Sequence, residues 1–343
     1  SKASLPVAAG VATVASATGL SSNPIYNIAS GLIQNNQLNL GAVSAGLDSA
    51  IPSGTLPGPK IWAEGVISYG ARDATGSTSA SDYNTSGITL GTDVTVNEKV
   101  IAGMAIGCAK GTTNIGTDGT QSRSRGTSVA VYGSYQPQGK GFVEGLLGVS
   151  TLDYDLTRYV TPISDFAQSN RKGLQLFGSV GGGWEFRDKG RMVSPYGRID
   201  FSTGRLNETT ETGAGSYALK YYDQTNSSLQ GALGLSGEST HATSFGWAIP
   251  RARAEVRKDL QNKSEATISY ADQVGGTRYS ISPTGTLNSA LVLGVGSDFI
   301  FRDGWAMGLD YQLTQASATE SSYALRLKVI KQLGVKGLPN LLA

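Results

Sequence analysis

From Trp305 the chain alternates. Trp305, Met307, Leu309, Tyr311 and Leu313 fall on one side of an extended segment, with Ala306, Gly308, Asp310 and Gln312 on the other, because successive side chains of a strand point to opposite faces. The same period of two predicts strands over Trp62–Ala71, Gly87–Val96, Val100–Ala109, Thr127–Gln136, Gly141–Leu152 and Gly173–Phe186. In the second half it predicts Ser194–Thr203, Ser227–Glu238, Phe245–Arg257, Ser289–Phe301, Trp305–Thr314 and Tyr323–Lys331. The gaps alternate as well: Arg72–Ser86, Lys110–Gly126, Asp153–Lys172, Gly204–Asn226 and Lys258–Asn288 are long, whereas Asn97–Lys99, Pro137–Lys140 and Arg302–Gly304 are tight. An even set of strands joined alternately by tight turns and long loops is the pattern of a membrane-spanning barrel, with its tight turns in the periplasm. The expected fold is all-β, a twelve-stranded antiparallel transmembrane β-barrel.

Composition sharpens this. Charged residues make up only 16% of 343, glycine is plentiful at 46, and the polar strand faces carry Gly, Ser, Thr, Gln and isolated charges in place of a dense Lys/Glu coat. That suits a crowded aqueous lumen opposite a lipid-facing surface. No apolar run reaches about 18 residues, which excludes a transmembrane helix. A net charge of +2 without a basic tract gives no footprint for nucleic acid. A single Cys108 and a single His241 give neither a disulfide nor metal-ligand spacing, so no metal and no cofactor is expected. The start at Ser1, without a basic n-region, places any export signal upstream or already removed.

Four tryptophans test the orientation. Trp62, Trp247 and Trp305 open rising strands and Trp184 closes a descending one, so all four are expected in an aromatic girdle at the periplasmic interface. Inward-facing charges are read from the same alternation. Arg251, Arg253, Glu255 and Arg257 form a ladder in the ninth strand. Glu64, Asp93, Glu144, Glu185, Arg198, Asp200, Glu238, Asp298, Asp310, Arg326 and Lys328 join it from the other strands. Charges in a confined lumen must pair with one another or with whatever fills the pore.

Ahead of the first strand the pattern changes. Asn27–Ala50 is rich in Ala, Leu, Asn, Gln and Gly and uncharged before Asp48, and it reads as a helix with no single greasy stripe. Such a helix suits passage through a polar lumen, or packing on the periplasmic face. Pro52, Pro57 and Pro59 with Gly54 and Gly58 supply a stiff turn into the first strand. The expected organisation is a linker over 1–24, a lumenal helix and Pro/Gly-rich turn over 25–61, the barrel over 62–333 and a tail over 334–343.

Several short runs, in order, carry a family resemblance: Trp62-Ala63-Glu64-Gly65, Ser86-Gly87-Ile88-Thr89-Leu90-Gly91-Thr92-Asp93, Val131-Tyr132-Gly133-Ser134-Tyr135, Pro195-Tyr196-Gly197-Arg198-Ile199-Asp200 and Gly308-Leu309-Asp310-Tyr311. Their order and spacing, behind a polar helix, resemble the translocator domain of classical autotransporters of the type V secretion family. The resemblance spans roughly Ile25–Leu333. It implies an outer-membrane anchor in a Gram-negative bacterium that exports its own N-terminal passenger to the cell surface and keeps its helix in the pore. Outer-membrane lipid and the barrel-assembly machinery are the implied partners, and the implied state is a monomer. Two features depart from the family pattern. The chain runs on from Gly334 to Ala343 without the usual terminal aromatic residue, and only 61 residues precede Trp62, fewer than a long β-solenoid passenger needs.

Some members of that family release the passenger by asparagine cyclisation at an Asn-Asn pair. Asn35-Asn36 is the weak candidate here, with Glu64 or Asp93 as nearby acids, although an Asn-rich segment produces such pairs by composition alone. The competing readings are a passive porin or adhesin barrel and an outer-membrane hydrolase. The last would need His241 in Glu238-Ser239-Thr240-His241, a site the topology places at a periplasmic turn, away from the outer loops.

Overall fold

The structure, a computed structural model, describes residues 58–333 apart from 75–78, 138–139, 265, 273–275, 282–288 and 317–319. Twelve long strands form the wall. These are β1 (Lys60–Arg72), β2 (Ser81–Asn97), β3 (Val100–Ile115), β4 (Thr120–Tyr135), β5 (Gly141–Val160) and β6 (Asp165–Trp184), followed by β7 (Arg191–Leu206), β8 (Gln224–Ser239), β9 (Gly246–Ser264), β10 (Ser289–Phe301), β11 (Trp305–Ala316) and β12 (Glu320–Gln332). Each pairs antiparallel with its sequence neighbours, and β12 returns to β1 in register from Lys60↔Gln332 to Arg72↔Glu320. The sheet therefore closes and leaves no strand edge unpaired, the condition for a β-structure in lipid. An Arg72–Glu320 ion pair of 3.4 Å fastens the outer end of the seam.

Alternation separates the two faces. On β11 Trp305, Met307, Leu309 and Tyr311 are exposed outward, while Ala306, Gly308 and Gln312 turn inward and are covered. On β9 Ala252, Ala254 and Val256 face outward and the Arg/Glu ladder faces in. This is the inverse of a soluble barrel, as lipid and lumen require.

Two long gaps expected as loops are strand. The connections Lys110–Gly126 and Asp153–Lys172 shrink to turns at 116–119 and 161–164, because β3–β4 and β5–β6 run on as hairpins above the apolar band. Their outward face is polar at Thr112, Arg123, Asp155 and Asn170, while the inward face buries Ile115, Leu152, Tyr154 and Leu156, so the apolar side of the alternation switches from the outer to the inner face above the band. Of the three remaining long connections, 207–223 and 265–288 contribute a separate four-stranded sheet at the outer mouth, in which Leu219–Tyr221 pairs with both Thr209–Thr210 and Ala266–Tyr270, and the latter with Tyr279–Ile281. It is tied to the wall by Arg158 of β5, whose guanidinium donates to both Glu211 oxygens at 2.9 and 2.6 Å. Glu211 also accepts the Leu219 backbone N–H and the Tyr221 hydroxyl.

The expected helix over Asn27–Ala50, the Asn35-Asn36 pair and the tail over 334–343 lie outside the described residues.

Candidate functional site

The lumen gathers the chemistry-bearing side chains. β9 supplies every second residue to it: Ile249, Arg251, Arg253, Glu255 and Arg257 are all buried inside the barrel. Neighbouring strands answer them in register. Arg251 bridges Asp298 of β10 and Asp310 of β11, and Gln312 accepts from both Arg253 and Arg326 of β12. On the other side, Arg198 of β7 donates to Asp200 at 2.8 Å and to both Glu255 oxygens at 3.1 Å. Glu255 further accepts Arg257 Nε and the Tyr196 hydroxyl, the latter at 2.7 Å. One carboxylate thus serves two arginines and a tyrosine, a degree of satisfaction that a desolvated charge needs.

The first strands complete the wall. Glu64 lies directly across from Lys328, their residues being cross-strand partners, and Lys328 Nζ sits 4.5 Å from the Trp62 ring centroid. Trp62 Nε1 donates to the Tyr132 hydroxyl at 2.7 Å, and that hydroxyl reaches Asp93 at 3.4 Å. These rings lie over glycines: a Cβ at Gly91 would overlap the Trp62 ring and one at Gly103 the Tyr132 ring. Glu144 is buried in the lumen on β5. At the lower mouth Arg187 joins Glu185 at 3.0 Å and Glu238 at 3.3 Å.

Two tryptophans are corrected in orientation. Trp184 and Trp305 are exposed on the outer face, but Trp62 is buried in the lumen and Trp247 packs on the same inward apolar cluster of Ile249, Ile300, Ala306 and Ile330. The reason is strand parity: Trp62 shares a face with Glu64, and Trp247 with Arg251. The lipid-facing girdle at this end is completed by Phe186, Phe245 and Tyr135, with Lys140 over Phe186 and Lys331 over Trp305. Tyr132 and Tyr196 were also missed as lumen partners, though parity with Arg198 marks Tyr196, and Gln312, expected on the polar face with Asp310, is found there.

His241 is exposed in the short strand His241–Thr243, paired with the lower end of β9. Among the described residues no group of His, Cys, Asp or Glu could hold a metal.

Residues 61–312, which span this closed barrel from the start of β1 into β11, match the model of a family described as the autotransporter β-domain. The chain belongs to the autotransporter β-domain family. It is an outer-membrane translocator barrel of the Gram-negative type, with a passenger as its attached cargo. Solved translocator domains share the fold. That of NalP from Neisseria meningitidis superposes with a TM-score of 0.68 at 18% identity, covering 91% of this chain and 99% of the other. The β domain of Bordetella BrkA gives 0.60 at 17%, covering 81% and 100%, and the transport unit of AIDA-I from Escherichia coli gives 0.52 at 13%, covering 82% and 92%. No curated protein matches the chain.

Proposed function

We propose that residues 25–57 of this translocator thread its lumen as the trailing end of the exported passenger, with Asn27–Ala50 helical, and plug the pore after export. The carrying observation is the lumen wall at the entry to β1. β1 starts at Lys60 on the tight-turn, periplasmic end, so the segment before it reaches the cell surface only through the barrel. The wall offers Glu64 Oε2 on β1 and, farther up the lumen on β9, Arg257 Nη2, buried polar atoms without a hydrogen-bond partner among the described residues, which amide side chains of an Asn- and Gln-rich helix can satisfy. A helix over those residues extends about 36 Å at 1.5 Å per residue, enough for a hydrocarbon core of about 30 Å. The wall's charges neutralise one another laterally, so an uncharged polar helix slides past without displacing ion pairs.

A monomer inserted by the barrel-assembly machinery fits the closed, edge-free sheet. Asn35 and Asn36 would sit within the threaded helix, and cyclisation there would leave a shortened chain readable by intact mass. Planar-bilayer conductance of the refolded chain beside a version starting at Pro59 tests the plug. Low conductance that rises on truncation is expected, whereas large and equal conductance in both would make the barrel an open porin.

A further inference from the structure

The lipid-facing side of β2–β5 changes character in three successive rungs. Leu90, Ile106, Val129 and Val149, adjacent across four strands, form an exposed aliphatic rung. One rung outward, toward the 116–119 turn, bulk drops away to Cys108, Thr127 and Thr151 beside Ile88. The next rung is Ser86, Lys110, Arg125 and Asp153, with Lys172 of β6 paired to Asp153. Above it the outward positions Asn84, Thr112, Arg123, Asp155 and Asn170 are all polar. The small middle rung leaves a shallow, open groove of about 670 Å³ on the wall, lined by Ile88, Cys108, Lys110, Arg125, Thr151 and Asp153. Its floor lies at the top of the apolar band, on the same end of the barrel as the long connections, hence in the outer leaflet.

We propose that this groove binds the phosphorylated, acylated glucosamine head of the outer-leaflet glycolipid, lipopolysaccharide, as a bound surface lipid of the barrel. The chemistry is complementary at each rung. An acyl chain lies along the aliphatic rung, the sugar fills the recess between hydroxyl-bearing Thr127 and Thr151, and a phosphate meets the cations above. Charge is available for it. Asp153 and Asp155 are held by Asn170 at 2.7 and 2.8 Å, and Arg125 pairs with both, at 3.0 Å from Asp155 and 4.0 Å from Asp153. Among the described residues Lys110 and Lys172 have no ion-pair partner, and Arg125 keeps its side chain 65% exposed. Across the row Lys110, Arg123, Arg125 and Lys172 outnumber the two aspartates, so an anion is attracted where the lipid ends.

The full chain, refolded in detergent, is titrated with diphosphoryl lipid A, with the same glycolipid after dephosphorylation, and with phosphatidylglycerol. Binding is followed by native mass spectrometry and by the rate at which a maleimide labels Cys108, the chain's single cysteine and part of the recess. The diphosphoryl lipid should bind most tightly and slow Cys108 labelling. A K110Q/R125Q variant should bind it about 30-fold more weakly, each lost cation removing an increment typical of anionic-lipid contacts. Equal binding of the dephosphorylated lipid, unchanged Cys108 labelling at saturation, or undiminished binding by a folded K110Q/R125Q variant would each overturn the proposal. Should that variant not fold, the wild-type comparison and the Cys108 rate decide alone.

Discussion

Arg251 shows what a single lumen residue has to hold. Its guanidinium stands between Asp298 and Asp310 on two neighbouring strands, with all three side chains largely covered. Arg251→Ala leaves two carboxylates facing each other without their cation, and breaking a buried pair from one side costs about 3–5 kcal/mol. The variant should show its heat-modifiable gel shift lost at lower urea than the native chain, and adding Asp310→Asn should recover part of the difference. The Arg158–Glu211 pair makes the same argument at the outer mouth, where both side chains are buried. Glu211→Ala should expose the connection 207–223 to protease while the barrel keeps its gel shift, since the pair ties a loop and no wall strand depends on it. Both arginines were visible in the sequence as residues. Their partners were not, since Glu211 lies 53 positions from Arg158 and Asp310 lies 59 from Arg251.

At the scale of the strand, one alternating pattern decides what each position may carry. Leu309 faces lipid on β11, and an arginine there should destabilise the barrel by about 2–4 kcal/mol if the position is near mid-membrane. The adjacent inward position Asp310 already bears a charge because it meets Arg251. Equal losses of folded barrel from Leu309→Arg and from Asp310→Asn, read by urea-dependent gel shift, would contradict the assignment of faces. Strand existence, order and parity were legible wherever one face met lipid, because that face had to be apolar. Strand ends were not legible above the membrane. In the outer parts of β3–β6 the outward face meets water and the apolar residues change sides, with Leu152, Tyr154 and Leu156 buried inward while Thr112, Arg123, Asp155 and Asn170 face out, and the inward Thr113, Ser122 and Ser124 of β3 and β4 carry no apolar period, so there cross-strand pairing shows the strand. The tryptophans show the cost of reading position without parity. All four sit toward the tight-turn end, but Trp62 and Trp247 share their faces with Glu64 and Arg251 and turn inward.

For the whole molecule, closure is the property that makes the rest possible. Thirteen paired positions between β12 and β1 convert a sheet into a tube, and the tube both removes the edges and creates the enclosed wall on which β9 meets β10, β11 and β12. The amino-acid sequence by itself determined a membrane barrel of twelve strands, which residues face lipid and which face the lumen, and where the tight turns lie. It could do so because lipid imposes a strict apolar requirement on every second residue, a constraint local to each strand. Only the tertiary structure decided which lumen charges meet, that the outer loops build their own sheet, and that small residues on three strands align into a recess beneath Lys110 and Arg125. Those features depend on register between strands and on closure of the sheet, and the physical forces that set register act across the barrel between residues far apart in the chain.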